Sequence, residues 1–300
     1  MINGVINVYK EKGYTSHDVV ARLRGILKQK KIGHTGTLDP QAEGVLPVCL
    51  GNGTKLCDML TDRRKEYIAE FLFGITTDTQ DMTGTVRSRR EVRMTEAEAE
   101  TVIMSFLGGY AQTPPMYSAC KVGGRRLYEL AREGREVERR AREIVIYELE
   151  ILAMRLPEVK IRVSCSKGTY IRTLCHDIGE KAGCGASMKS LLRTKAGGFA
   201  LEDANTLAGI ETAQREGKLG QMLVPVEEMF AQLPPITVRE EFTGAVCNGN
   251  PLYLRQVTGR SGWTDGEQAK VYDHEGKFYG IYAFRIMKGR FEPVKMFLDR

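Results

Sequence analysis

Residues 159–166, VKIRVSCS, alternate without a break: Val159, Ile161, Val163 and Cys165 on one face, Lys160, Arg162 and Ser164 on the other. A period of two is the signature of a strand with one buried side. Within a few residues the period changes. In KGTYIRTLCHDIGEKAG, Ile171, Leu174, Cys175, Ile178 and Ala182 fall at helical spacing, and Gly183 supplies a stop. A half-exposed strand that feeds directly into an amphipathic helix calls for a sheet with helices packed on it.

The same two periods recur along the chain. In 65–74 (KEYIAEFLFG), Tyr67, Ala69, Phe71 and Phe73 share a strand face. Ser16 is placed to cap a helix with the stripe Val19, Val20, Leu23, Ile26 and Leu27, with Asp18 in its first turn. Thr95 and Glu98 form a capping box ahead of Val102, Ile103, Phe106 and Leu107, and Gly108-Gly109 is expected to end that helix. Strands between helices, several antiparallel and without a strict βαβ rhythm, predict an α+β fold. Beyond Pro234-Pro235 come short strand-like runs separated by Gly and Asn, with a tight turn at 273–276. The chain is thus expected to divide into a larger unit, 1–232, and a small β-rich unit, 233–300.

Composition removes several function classes. Of 300 residues, 42% are hydrophobic and 27% charged, enough apolar material for a full core. No apolar run reaches the roughly 18 residues a membrane helix needs, and the N-terminus lacks a signal-peptide h-region. The seven cysteines include no CxxC pair, and with only four histidines they argue against a zinc site or a disulfide framework. A reducing cytoplasm is the natural setting. The net charge of +6 is concentrated in RSRREVR (87–93) and in 121–142, where acidic residues are interleaved. Such clusters fit either a polyanion partner or an exposed helix with paired charges.

The segment GHTGTLDPQAEG (33–44) is glycine-rich, yet it matches neither GxxxxGK[ST] nor GxGxxG, so it is not a nucleotide cradle. Its glycines are expected to serve a sharp turn. Asp39, held extended by Pro40, reads either as a turn residue or as a carboxylate fixed at a cleft edge for nucleophilic or base chemistry. A working carboxylate in a closed site needs a cation, and Arg172, on the first turn of the helix after the strongest strand, is the candidate. Tyr67 reads as core or as a stacking surface, and His34 as a packing residue, a base or a ring that stacks on nucleobases.

At this point six segments, in order, resemble the TruB family of pseudouridine synthases, the bacterial enzymes that convert uridine 55 in the tRNA T loop. They are INVYKEKGYTSHDVV, GHTGTLDPQAEGVLPVCLG, KEYIAE, PPMYSACKVGGRRLYELAR, SKGTYIRTLCHDIGEKAGCGA and SLLRTKAGGF. The resemblance implies a pseudouridine synthase fold on a mixed, largely antiparallel sheet flanked by helices, followed by a PUA-like RNA-binding domain. It makes Asp39 the catalytic aspartate, Tyr67 the tyrosine packed on the target uracil and Arg172 the partner of the aspartate. His34 falls on the histidine that fills the T loop once bases flip out, and Leu191 on the apolar residue beside the flipped base. Lys10 matches a Lys-Pro motif, and Tyr170 joins the substrate-binding set. Lys121, Arg125 and Arg126 lie in an RNA-gripping insertion, 112–142.

The chemistry so implied is an isomerisation with no cofactor and no metal. Its partner is the T arm of tRNA, and a monomer in the cytoplasm is the simple expectation. A non-catalytic tRNA chaperone on the same fold is the rival. Three residues depart from the family pattern: Glu11 follows Lys10 in place of proline, Glu43 replaces a small or hydroxyl residue, and Leu192 replaces the first arginine of LRRT.

Overall fold

A computed structural model describes residues 1–298. The expected strands and helices form where the periodicity changes. Strand Glu158–Cys165 buries Val159, Ile161, Val163 and Cys165, and helix Ile171–Lys181 follows it with Ile171, Leu174, Cys175 and Ile178 inward. Strand Lys65–Phe73 alternates buried and half-buried positions along its whole length.

Two local expectations are corrected. Thr15, not Ser16, caps helix Ser16–Leu27: its side chain accepts from the Asp18 N–H, and Asp18 reaches back to the Thr15 N–H. The acid three residues after Thr15 closes that box and leaves Ser16 free for another task. Helix Glu96–Met104 has the expected Thr95–Glu98 box but stops short of the glycines. Phe106 packs edge-on against Tyr110 instead, and Gly108 opens a strand, Gly108–Gln112.

Among the described residues the main sheet has ten strands. Across it run Leu223–Val224, Gly4–Lys10, Glu43–Leu50, Ala186–Ala196, Lys65–Phe73, Glu158–Cys165, Arg142–Arg155 and Gly108–Gln112, with two short strands pairing off this path. The paired strands are antiparallel except at one place. Glu43–Leu50 meets Ala186–Ala196 in parallel through two residue pairs, Leu192 with Glu43 and Arg193 with Gly44. This narrow seam joins two half-sheets with separate cores. One gathers Phe71, Phe73, Ile103, Ile161 and Leu174, the other Ile6, Val19, Leu23, Leu46 and Ile210. Gly44 makes the seam possible: it sits at φ +104, and a Cβ there would lie 2.3 Å from the Arg193 carbonyl oxygen.

A second, six-stranded sheet runs from Pro235–Val238 to Arg290–Met296 around its own core, which includes Trp263, Val271, Tyr282 and Phe291. It joins the larger sheet through an aromatic cluster of Phe230, Phe278 and Phe297 packed with Leu56 and Val5. The Asn52 side-chain amide adds a 2.6 Å bond to the Phe297 carbonyl.

Candidate active site

The segment around Asp39 crosses the head of the seam, and side chains from elsewhere stitch it down. The Ala42 N–H closes onto the Asp39 carbonyl, so Pro40 takes the second position of a tight turn, where its fixed φ suits it. Ser16, released from capping, accepts from the Leu38 N–H at 2.9 Å and donates to the Leu38 carbonyl at 3.4 Å. The Gly13 N–H donates to the Pro40 carbonyl. The glycines therefore do not make this turn. Proline makes it, while Gly44 serves the seam.

Lys10 completes the underside. It is fully buried, and its ammonium donates to the carbonyls of Ala42 (2.5 Å), Glu11 (3.1 Å) and Pro40 (3.2 Å). Burial pulls its pKa down to about 8, against the attraction of nearby Glu43 and Asp39. Its place is thus beneath the loop, whereas a contact with substrate would need its open side.

Above the loop, Asp39 keeps its side chain 37% exposed while Arg172 is almost entirely buried, at 6%. The pair touches at both oxygens: Nη2 donates to Oδ1 at 3.1 Å, and Nε stands 2.8 Å from Oδ2 in the ion pair. This two-point contact fixes the carboxylate's orientation as well as its charge. Arg172 is itself over-determined. It donates to the carbonyls of Thr79 (2.9 Å) and Tyr117 (2.7 Å), and Asp81 stands 3.9 Å from Nε. Asp81 in turn is held by Thr79 and Thr83, the latter through both its N–H and its hydroxyl.

Asp39 and Arg172 open into a cavity of about 310 Å³, also lined by Tyr67, Tyr170, Leu191 and Arg193. That is the small end of the usual ligand range of about 300–1,000 Å³, a volume for one nucleoside and not for a length of RNA. Tyr67 forms the inner wall. Burial raises its phenol above the usual tyrosine value, and the Arg193 guanidinium beside it acts the other way. Gln112 braces the opposite wall, accepting from the Tyr170 N–H at 2.8 Å and donating to its carbonyl at 3.1 Å.

Five of the candidates from the sequence thus share one cavity: Asp39, Tyr67, Tyr170, Arg172 and Leu191. His34 stands on the neighbouring strand Ile32–His34, edge-on to His17 at 5.6 Å. Its Nδ1 accepts from the Gly36 N–H, and burial first, then His17, lowers its pKa. Lys121, Arg125 and Arg126 lie on a two-strand hairpin turned at Gly123-Gly124, with Arg125 paired to Glu133 and Arg126 bonded to the Tyr128 hydroxyl. The 87–93 cluster is partly paired off, Arg90 with Glu180 and Arg93 with Glu91.

Four residues at the site were not singled out from the sequence: Lys65, Asp81, Ser118 and Arg193. Lys65 and Arg193 carried a usable signal, lying two residues from Tyr67 and Leu191 on the same strand faces.

Solved structures of this fold include the Cbf5-Nop10-Gar1 complex (TM-score 0.72, 28% identity, covering 99% of this chain and 85% of that one). A second is an H/ACA RNP bound to a substrate RNA containing 2'-deoxyuridine (TM-score 0.71, 26% identity, 98% and 85% covered). The fold is that of the pseudouridine synthases. The family described as TruB family pseudouridylate synthase (N terminal domain) matches residues 24–171, and the tRNA pseudouridylate synthase B C-terminal domain matches 172–231. The tRNA pseudouridine synthase B of Lachnoclostridium phytofermentans is 52% identical over 99% of this chain and 100% of its own length. That of Clostridium tetani is 47% identical over 96% and 99%. The chain belongs to the TruB family.

Proposed function

We propose that this protein isomerises uridine 55 in the T loop of tRNA to pseudouridine, without cofactor or metal. The observation that carries the reading is the Asp39–Arg172 ion pair at the mouth of a nucleoside-sized cavity walled by Tyr67. The target base is stacked inside a folded loop and must be flipped out, at a cost of a few kcal/mol that stacking and phosphate contacts offset. Tyr67 packs against the uracil, Leu191 and Tyr170 bound it, and His34 fills the loop it leaves. Asp39, aimed by Arg172, acts on the flipped nucleotide, either as nucleophile or by taking a proton from the ribose. The C1′–N1 bond breaks, the base turns, C1′–C5 forms, the C5 proton leaves and N1 gains one. Atoms and electrons balance within the one nucleotide.

Residues 1–232 carry the chemistry, with the 112–142 insertion gripping the loop backbone through Lys121, Arg125 and Arg126. Residues 233–300 act as a PUA-like unit on another part of the tRNA. The protein works as a monomer in the cytoplasm. The test is pseudouridine mapping on a tRNA transcript with wild type and Asp39→Asn. The expected result is modification at position 55 by wild type alone, with tRNA affinity within a few fold. Equal modification by both proteins overturns the role of Asp39, and none by either favours a non-catalytic tRNA chaperone.

A further inference from the structure

Among the described residues Arg193 is the largest fully buried side chain, 1% exposed, and it lines the same cavity as Asp39 and Tyr67. Its protein partners are neutral. Nε donates to the Val45 carbonyl at 2.7 Å, Nη2 lies 3.5 Å from the Gly36 carbonyl, and the guanidinium rests beside the Tyr67 hydroxyl. Among the described residues it has no carboxylate within ion-pair reach, in contrast to Arg172, which has two. Lys65 repeats the pattern. It is 8% exposed, with its ammonium bonded to the Thr61 and Arg63 carbonyls. A buried cation without a counter-charge is expensive, and a fold that keeps one at a cavity wall has a use for it when that cavity fills.

The filled cavity does generate a negative charge. If the C1′–N1 bond breaks with its electron pair going to the base, the departing uracil is an anion with its charge spread over N1, O2 and O4. We infer that Arg193 is the group that stabilises this anion: its guanidinium lies at the depth of Tyr67, directly opposite it across the strand pair, where the ring stacks. The cation is in place before the reaction starts, so no reorganisation is needed when the charge appears. This assignment rests on the isomerase reading. It also separates two arginines by task, Arg172 aiming the carboxylate and Arg193 receiving the leaving group.

A change of leaving group tests it. Fluorine at C5 stabilises the base anion by itself, so an enzyme lacking Arg193 should be partly relieved by 5-fluorouridine. Single-turnover consumption of the target nucleoside is measured on T-arm RNA carrying uridine or 5-fluorouridine, with wild type, Arg193→Met and Arg193→Lys. Arg193→Met is expected to lose on the order of 100-fold on uridine but only about tenfold on 5-fluorouridine, as for removal of a preorganised charge-stabilising donor. Arg193→Lys keeps the charge and should lie between wild type and Arg193→Met on uridine. If Arg193→Met does not fold, as judged by its melting transition, Arg193→Lys alone must still lose more on uridine than on 5-fluorouridine. Equal losses on both bases overturn the inference and leave Arg193 a purely structural role. A loss confined to RNA affinity, with a shallower salt dependence, overturns it in favour of a phosphate contact. Failure of wild type to convert uridine breaks the isomerase reading instead.

Discussion

The Asp39 loop and the 112–142 insertion both border the cavity, but they are built on opposite plans. The loop is pinned by groups distant in sequence: Ser16 on Leu38, Lys10 on Pro40 and Ala42, the Gly13 N–H on Pro40 and the Thr61 hydroxyl on Thr35. The insertion is held largely by itself. Its hairpin bonds to its own helix Leu127–Arg132, Arg139 donates back to the Pro114 carbonyl, and the contacts that tie it to the site run through the Tyr117 carbonyl and the two Gln112–Tyr170 bonds. Chemistry requires a carboxylate at a fixed position before the substrate arrives. A grip on RNA benefits from a surface that can adjust, with the binding energy ordering it.

That contrast can be broken from the loop side first. Arg172→Lys should cost on the order of 1,000-fold in single-turnover rate, since an ammonium cannot reach both Asp39 oxygens and the two carbonyls together. RNA affinity should hardly move. A rate within tenfold of wild type would show that the carboxylate is fixed without its partner. Ser16→Ala comes next. It leaves the buried Leu38 N–H without an acceptor, worth about 1–3 kcal/mol of stability, and should lower the rate with unchanged affinity. Chemical denaturation and single-turnover assays on one preparation separate the two effects.

Lys10 sharpens the comparison through pH. Its folded pKa, about 8, lies below the ordinary value of 10.5. Between those values the unfolded chain retains a proton that the folded chain has released, so this group makes stability rise with pH across that window. Lys10→Met should flatten that rise, as measured by denaturant midpoints from pH 8 upward. An unchanged slope would assign the proton elsewhere, Lys65 being the alternative with the same direction. The smallest effect is expected on the insertion side. Arg125→Ala and Arg126→Ala should leave the melting temperature and the chemical step alone, weaken RNA binding modestly and reduce the salt slope by about one each. A slope that stays put would remove the hairpin from the interface.

The sequence was informative wherever one period dominated a segment. The strands at 65–73 and 158–165 and the helix after Tyr170 were legible because burial on one face leaves a plain imprint. Adjacent hydroxyls defeated the cap assignment, although Asp18 three residues beyond Thr15 was a readable cue. Arg193 and Lys65 give a weaker cue because charged residues in strands are usually exposed, yet Lys65 occupies an inward position of a regular alternation and Arg193 one in a strand interrupted by two bulges. Asp81 left no local trace, since its meaning lies in a contact with a residue far along the chain. The departures at Glu43 and Leu192 were isolated oddities in one dimension. Across the parallel seam they are a register pair, and Glu43 accepts from the Tyr9 hydroxyl at 3.2 Å.

The two-pair seam also sets an order of events during synthesis. Asp39 and Arg172 are separated by 133 residues, and the strand that carries Arg193 to Gly44 comes later still. A growing chain can close each half-sheet's local contacts early, but it cannot bring carboxylate, arginine and tyrosine together until that strand has emerged and docked. A nascent chain that ends short of Arg193 therefore holds no assembled site, however well its earlier strands have paired.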